Sequence, residues 1–146
     1  MKKIKVVLAD DHAVVRMGFR LLLQDTDDIE VIGEAKNGEE AIKICTETKP
    51  NVLVMDLSMP GMGGLEAIGR VLSKKDSPKV LILSAHEDTI HPKRALKAGA
   101  IGYLSKRGAA EELIKAIRQV SSGTMYVEAI LAQKMAVQQF GGDVTP

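Results

Sequence analysis

Five polar side chains follow apolar stretches of the sequence, each at the point where the stretch ends. Asp10 and Asp11 close the run VVLADD, and Asp56 closes the run VLVMD. Ser84 and Lys106 close two later runs, VLILS and GYLSK. In an open parallel sheet, reactive groups collect at the carboxyl ends of the strands, where the strand order reverses. We therefore expect these side chains to meet at one edge of a sheet.

The chemistry of this cluster suits a phosphoryl group. Crowded carboxylates in a partly desolvated pocket repel one another, so either one takes up a proton or a cation neutralises them. Carboxylate oxygens with room for water suit Mg²⁺. A hydroxyl and an ammonium are the groups that a phosphoryl group attached to a carboxylate needs. Asp10 and Asp11 alone would be more typical of a helix N-cap, but polar residues at four strand ends are not a capping pattern.

The elements that must position these residues alternate along the chain. Amphipathic helical spacing separates short apolar runs, as in Val14, Met17 and Leu21 or in the stretch from Ala109 to Val120. This alternation predicts an α/β fold, a doubly wound parallel sheet with helices on both faces. Five strands are predicted, at Ile4–Ala9, Ile29–Ala35, Val52–Asp56, Val80–Ser84 and Ile101–Leu104.

Composition excludes several classes of function. The chain has 146 residues, of which 45% are hydrophobic, and this predicts one compact domain with a core. The formal net charge of +1 gives no global field for nucleic acid or an anionic membrane. The single cysteine, Cys45, excludes an internal disulfide and favours a reducing compartment, so we expect a cytoplasmic protein. The first apolar run is too short for a membrane span.

Four blocks of the sequence resemble a known family. LADDH, VLVMDLSMPGMGGLEAI, VLILSAH and AGAIGYLSK are similar, in order and spacing, to the signature blocks of the response-regulator receiver domain of two-component signalling. The resemblance runs from Lys3 to about Gly123. It implies a flavodoxin-like five-stranded sheet of order 2-1-3-4-5 and a phosphorylation-dependent switch. Its partner would be a sensor histidine kinase, and its cofactor Mg²⁺.

The resemblance also implies roles for the acidic residues. Asp56 would be the phosphoacceptor. Asp11 and Asp56, with the backbone carbonyl of Ser58, would hold Mg²⁺, and Asp10 would act largely through bound water. Independently of the resemblance, an aspartate nucleophile needs a metal to offset repulsion from the incoming phosphoryl oxygens.

Three further residues complete the implied switch. Lys106 would pair with the phosphoryl oxygens, Ser84 would close on the phosphate, and Tyr103 would move inward with it. Receivers commonly carry a proline after this lysine, with a cis peptide, whereas Arg107 stands here. Because a cis bond before a residue other than proline costs about 2.5–4 kcal/mol, we predict a trans Lys106–Arg107 peptide.

The resemblance divides the chain in two. We expect a receiver domain at residues 1–123, and at 124–146 a linker helix and tail toward a missing DNA-binding domain. Within the family, LADDHAVVRMGFRLLL and the stretch ending in SSG look most like regulators with a LuxR/NarL-type helix-turn-helix output. DNA binding would then require that output domain. Phosphorylation would promote a homodimer through the first and fifth helices.

A second class of function stays open at this point. An aspartate-nucleophile phosphohydrolase shares the acyl-phosphate chemistry on a similar sheet. That class places a second aspartate two residues after the nucleophile as general acid, and Ser58 stands there. We therefore favour a switch over an enzyme, with slow self-dephosphorylation only.

Overall fold

Strands and helices alternate through the chain, as the apolar pattern predicts. The computed structural model describes residues 3–85 and 88–144, with side chains as far as residue 137; residues 145 and 146 of the predicted tail lie outside the described residues. The elements are β1 (Ile4–Ala9), α1 (Ala13–Gln24), β2 (Ile29–Ala35), α2 (Gly38–Thr48), β3 (Val52–Asp56), α3 (Gly64–Leu72), β4 (Lys79–Ser84), α4 (Ile90–Ala98), β5 (Gly102–Ser105), α5 (Ala109–Ser121), β6 (Tyr126–Val127) and α6 (Ala129–Val144).

The sheet has six parallel strands in the order β2-β1-β3-β4-β5-β6. The predicted doubly wound parallel sheet is confirmed, and the order of the first five strands agrees. The predicted count of five strands is wrong, because Tyr126 and Val127 add a sixth beside β5. A two-residue strand contains no alternation that could distinguish it from the start of a helix.

Helices cover both faces of the sheet, and each face has its own core. On one face, Val7, Leu53 and Ile82 pack with residues of α2, α3, α4 and α6. On the other, strand residues such as Leu8 and Leu81 pack with residues of α1 and α5. Because both faces are buried, the strands read as continuous apolar runs rather than as alternating ones.

The strand order brings the polar strand ends together. From β1 the chain runs outward to β2 and then returns across β1 to β3, so the carboxyl ends of β1 and β3 border the crevice where the order reverses. Ala9 lies opposite Met55, which sets Asp10 beside Asp56. Asp56 lies opposite Leu83, so Ser84 is one residue further along the next strand. No helix within the described ranges is long and apolar enough to cross a membrane.

Candidate functional site

Three aspartates and a histidine form a compact acidic cluster at the ends of β1 and β3. One ligand atom from each of Asp10, Asp11, His12 and Asp56 lies within 4.8 Å of the others. Asp10 and Asp56 are 3% and 1% exposed, whereas Asp11 and His12 are exposed. The helix α1 has His12 as its N-cap residue, without a side-chain capping bond, so neither aspartate is its cap.

Lys106 bridges the two buried carboxylates. Its Nζ lies 2.9 Å from Asp56 Oδ2 and 3.0 Å from Asp10 Oδ2. Burial, the largest single influence, lowers the pKa of Lys106, but the carboxylates of Asp56 and Asp10 together outweigh it and raise the pKa. The ammonium therefore stays charged at neutral pH and offsets part of the negative charge of the cluster.

Backbone donors fix the orientation of the two buried carboxylates. The amide N–H of Ser58 donates to Asp56 Oδ1 at 3.0 Å, and that of His12 donates to Asp10 Oδ1 at 2.8 Å. Both bonds span two residues, which is the geometry of an Asx turn. The loops after β1 and β3 therefore aim the carboxylates at the same space.

Two residues of this region were not predicted from the sequence. His12 Nδ1 lies 3.1 Å from Asp10 Oδ1 and 3.2 Å from Asp11 Oδ1. Arg16 donates through Nη1 to the carbonyl oxygen of Asp10 at 2.6 Å, and through Nε to Glu34 at 3.0 Å. Each follows the aspartates within about two helical turns, and that proximity is the one signal the sequence offers for them.

Ser84 and Tyr103 lie on neighbouring strands, and both are fully buried. Burial raises the pKa of Tyr103, and the nearby hydroxyl of Ser84 partly offsets this rise. Within the described ranges, the Tyr103 hydroxyl has no hydrogen-bond partner at normal distance and angle. The ring is thus already inside the core, with a hydroxyl that a rearrangement could satisfy.

The lysine loop has the predicted backbone. No cis peptide bond occurs in residues 3–85 and 88–144, so the Lys106–Arg107 peptide is trans, as predicted. The amide N–H of Lys106 donates to the carbonyl oxygen of Ser84 at 2.9 Å, which ties the loop to the end of β4.

The donor set fits a hard divalent cation. Three carboxylates converge, and two of them are buried with Lys106 as the cation between them. Oxygen donors in such a partly exposed pocket suit Mg²⁺ better than a softer metal. The cluster can therefore hold a cation that neutralises the remaining negative charge.

Comparisons with known proteins give the family. The family model for the response regulator receiver domain matches residues 6–118, and the chain belongs to this family. It is 43% identical over 142 residues, 97% of its length, to Response regulator UvrY of Escherichia coli (strain K12), of which it covers 65%. It is 41% identical over 137 residues, 94% of its length, to Response regulator GacA of Pseudomonas aeruginosa, of which it covers 64%. The chain thus spans just under two thirds of the length of these relatives.

A solved structure shows the same architecture. A two-component response regulator of the LuxR family from Aurantimonas sp. SI85-9A1 superposes with a TM-score of 0.90 at 32% identity, over 95% of this chain and 99% of that one. The agreement therefore covers nearly the whole chain.

Proposed function

We propose that this chain is a phosphorylation-dependent switch that takes a phosphoryl group from a sensor histidine kinase onto Asp56. The observation that carries the proposal is the bridge from Lys106 to Asp56 and Asp10, inside the acidic cluster at the sheet edge. In the transfer, a carboxylate oxygen of Asp56 forms a bond to phosphorus as the bond to the donor imidazole nitrogen breaks. The imidazole leaves with its electron pair.

Asp11 and Asp56, with the backbone carbonyl of Ser58, would hold Mg²⁺, and Asp10 would act largely through water. Bound there, Mg²⁺ would offset the negative charge of the phosphoryl oxygens in a loose transition state. The protein's own contribution is positioning: the Ser58 amide orients one oxygen of Asp56, and Lys106 contacts the other. Once the phosphoryl group is attached, Lys106 pairs with its oxygens and no longer with the free carboxylate.

The signal would begin at Ser84. Its side chain is buried at the end of β4, and its hydroxyl would donate to the new phosphoryl oxygens after a movement of the β4 end. Tyr103, on the adjacent strand, then changes its surroundings. Through the buried side chains of Ser84 and Tyr103, the new charge at Asp56 would alter the surface formed by α4 and β5.

We also propose a wider role for the chain. We place the chain in the cytoplasm and propose that it controls transcription, with DNA contacted only through an output domain and with a homodimer formed on phosphorylation. Self-dephosphorylation would be slow. The phosphohydrolase alternative gains no support, because Ser58 stands where that class needs an acid.

Intact-mass measurement tests the proposal. With Mg²⁺ and a small phosphodonor, the protein should gain one phosphoryl group, and chelation of the metal should prevent it. Asp56→Asn should gain none, since its amide is a poor nucleophile. Asp27→Asn, a change of the same kind at an exposed position, should behave like the wild type. Labelling of Asp56→Asn at the wild-type level would refute the assignment.

A further inference from the structure

The segment that follows α5 pairs with β5 and contacts the loop that contains Lys106. The strand β6 extends the sheet beyond β5: the amide of Tyr126 donates to the carbonyl of Ile101 at 3.0 Å, and the amide of Glu128 donates to the carbonyl of Tyr103 at 3.3 Å. We call residues 126–137 the latch segment. Its backbone thus lies beside β5, the strand that leads directly into Lys106.

The side chain of Glu128 continues this ladder where β6 ends. Along β5, every second residue turns its backbone groups toward β6, so Ser105 is the next donor after Tyr103. The amide of Ser105 donates to Glu128 Oε2 at 2.9 Å. The following amide, that of Lys106, points the opposite way and donates to Ser84 at 2.9 Å. The backbone at the lysine is therefore held from both sides, once by β4 and once by the latch segment.

Ser105 and Glu128 also contact the rest of the loop. The amide of Gly108 donates to Ser105 Oγ at 3.1 Å. A Cβ at Gly108 would lie 3.3 Å from Ser105 Oγ and 3.4 Å from a carboxylate oxygen of both Glu112 and Glu128, so the loop and the two carboxylates pack closely. The hydroxyl of Tyr126 donates to Glu112 Oε1 at 2.6 Å. This hydrogen bond joins the latch segment to α5 on the other side of the loop.

Apolar contacts anchor the latch segment to the core. Leu131 is 8% exposed and belongs to the same buried cluster as Tyr103. Val127 and Met135 are partly buried against that cluster. The carboxylate of Glu128 is therefore not a surface group that meets the loop by chance, because apolar residues on both sides of it fix its place.

We propose that Glu128 is a positioning residue for Lys106, and that through it the docking of the latch segment and the phosphorylation of Asp56 strengthen each other. This inference rests on the proposed function. The bond from Ser105 to Glu128 favours the backbone that keeps the lysine ammonium beside Asp56. The phosphoryl group favours the same lysine position. Two events that stabilise one conformation stabilise each other by the same factor.

Removal of the carboxylate should slow phosphoryl transfer. In the full chain with saturating Mg²⁺, Glu128→Ala should be phosphorylated by a small phosphodonor about ten- to a hundredfold more slowly, the effect of losing one charge-assisted hydrogen bond. Glu111→Ala, which removes an exposed glutamate from the nearby first turn of α5, should keep the wild-type rate. Equal rates for the two variants would overturn the proposal.

Two further variants separate positioning from a structural role. If Glu128 acts through Lys106, its substitution should have no added effect in a Lys106→Ala background. The same added slowing in that background would contradict the proposal. Glu128→Gln should recover most of the rate, since its amide oxygen can still accept from the Ser105 amide. This variant keeps the side-chain shape, so it also serves if Glu128→Ala fails to fold.

Hydrogen exchange gives a readout that does not depend on phosphorylation. The Ser105 amide should exchange at least about tenfold faster in Glu128→Ala than in Glu111→Ala, as expected for a lost hydrogen bond. In the wild type, beryllofluoride with Mg²⁺ should slow exchange at this amide and across residues 129–137. A wild type that gains no phosphoryl group refutes the proposed function, whereas unchanged Ser105 exchange in Glu128→Ala refutes the latch.

Discussion

Both tyrosines of the chain, Tyr103 on β5 and Tyr126 on the neighbouring strand β6, have a raised pKa. The pKa of Tyr103 is raised by its burial. Burial, the hydrogen bond to Glu112 and the charges of Glu112 and Glu128 raise the pKa of Tyr126 to about 12. In an unfolded chain both phenols would lose a proton near pH 10. Neither phenol should therefore lose its proton near pH 10 while the protein is folded.

Spectrophotometric titration checks this expectation. Since the chain has two tyrosines, tyrosinate absorbance should stay low through about pH 10 and rise toward pH 12. Above about pH 10 the unfolded state binds fewer protons than the folded state, so the free energy of unfolding should fall as the pH rises through this window. Tyr126→Phe should remove one of the two phenol transitions. A full two-tyrosine transition near pH 10 in folded protein would contradict the structure.

Ser84 offers a second test at the scale of one residue. Under the proposed function, its hydroxyl takes no part in the attack by Asp56, so Ser84→Ala should still accept a phosphoryl group. The variant should fail to carry the change to Tyr103, because no hydroxyl remains to follow the new charge. NMR chemical shifts around Tyr103, with and without phosphorylation, measure this. Identical responses in the variant and the wild type would show that the signal takes another route.

Two glycines of α3, Gly64 and Gly69, differ in the space around them. A Cβ at Gly64 would lie 2.6 Å from the carbonyl oxygen of Leu57 and 2.8 Å from its Cδ1, whereas a Cβ at Gly69 would meet nothing within 4 Å. Close approach of α3 to the end of β3 shapes the loop that contains Ser58, so Gly64 is needed for packing. Gly69 is an exposed position in the helix.

Matched alanine substitutions test this contrast. Gly64→Ala should lower the free energy of unfolding by about 1–3 kcal/mol, the usual cost of overpacking. Gly69→Ala should raise it by about 0.5–1 kcal/mol, because alanine has the higher helix propensity. Urea denaturation of both variants gives the comparison. A stabilising Gly64→Ala would show that α3 can move away from β3 at little cost.

The elements also show what could be read from the sequence. β1, β3, β4 and β5 were predictable because burial on both faces makes each an unbroken apolar run, and their polar ends followed directly. The contact of Lys106 with both Asp10 and Asp56 required the strand order, which came from the family resemblance. β6 and Glu128 were not predictable. Their only described role is to pair with β5, which is more than 20 residues away in sequence but adjacent in space, and a two-residue strand has no pattern of its own.

At the scale of the whole molecule, charge and exposed apolar residues decide the partners. Among the described side chains, α1 exposes Val14, Met17 and Leu21 at helical spacing. The helix α5 balances its acidic first turn with basic residues further along, so it forms no basic stripe for DNA. We therefore expect the chain itself to bind a second copy weakly and to bind DNA without sequence specificity, if at all.

Sedimentation and gel shift test these two expectations. With beryllofluoride and Mg²⁺, the weight-average mass should rise with concentration as α1 and α5 form a homodimer. Leu21→Glu should suppress the rise, whereas Val137→Glu, a matched change at an exposed position on α6, should not. A monomer at high concentration would contradict the dimer, and tight sequence-specific binding by residues 1–146 at physiological salt would contradict the second expectation.

The pairing of β6 with β5 also bears on solubility. Without it, the backbone groups of Ile101, Tyr103 and Ser105 would form an open sheet edge, a template on which strands of other molecules can add. A chain cut after residue 123 exposes that template, while one cut after Glu128 keeps it covered by two residues of strand and one carboxylate. The shorter chain should aggregate faster in light scattering at equal concentration. The short segment after α5 thus protects the sheet edge from self-association, independently of its proposed effect on Lys106.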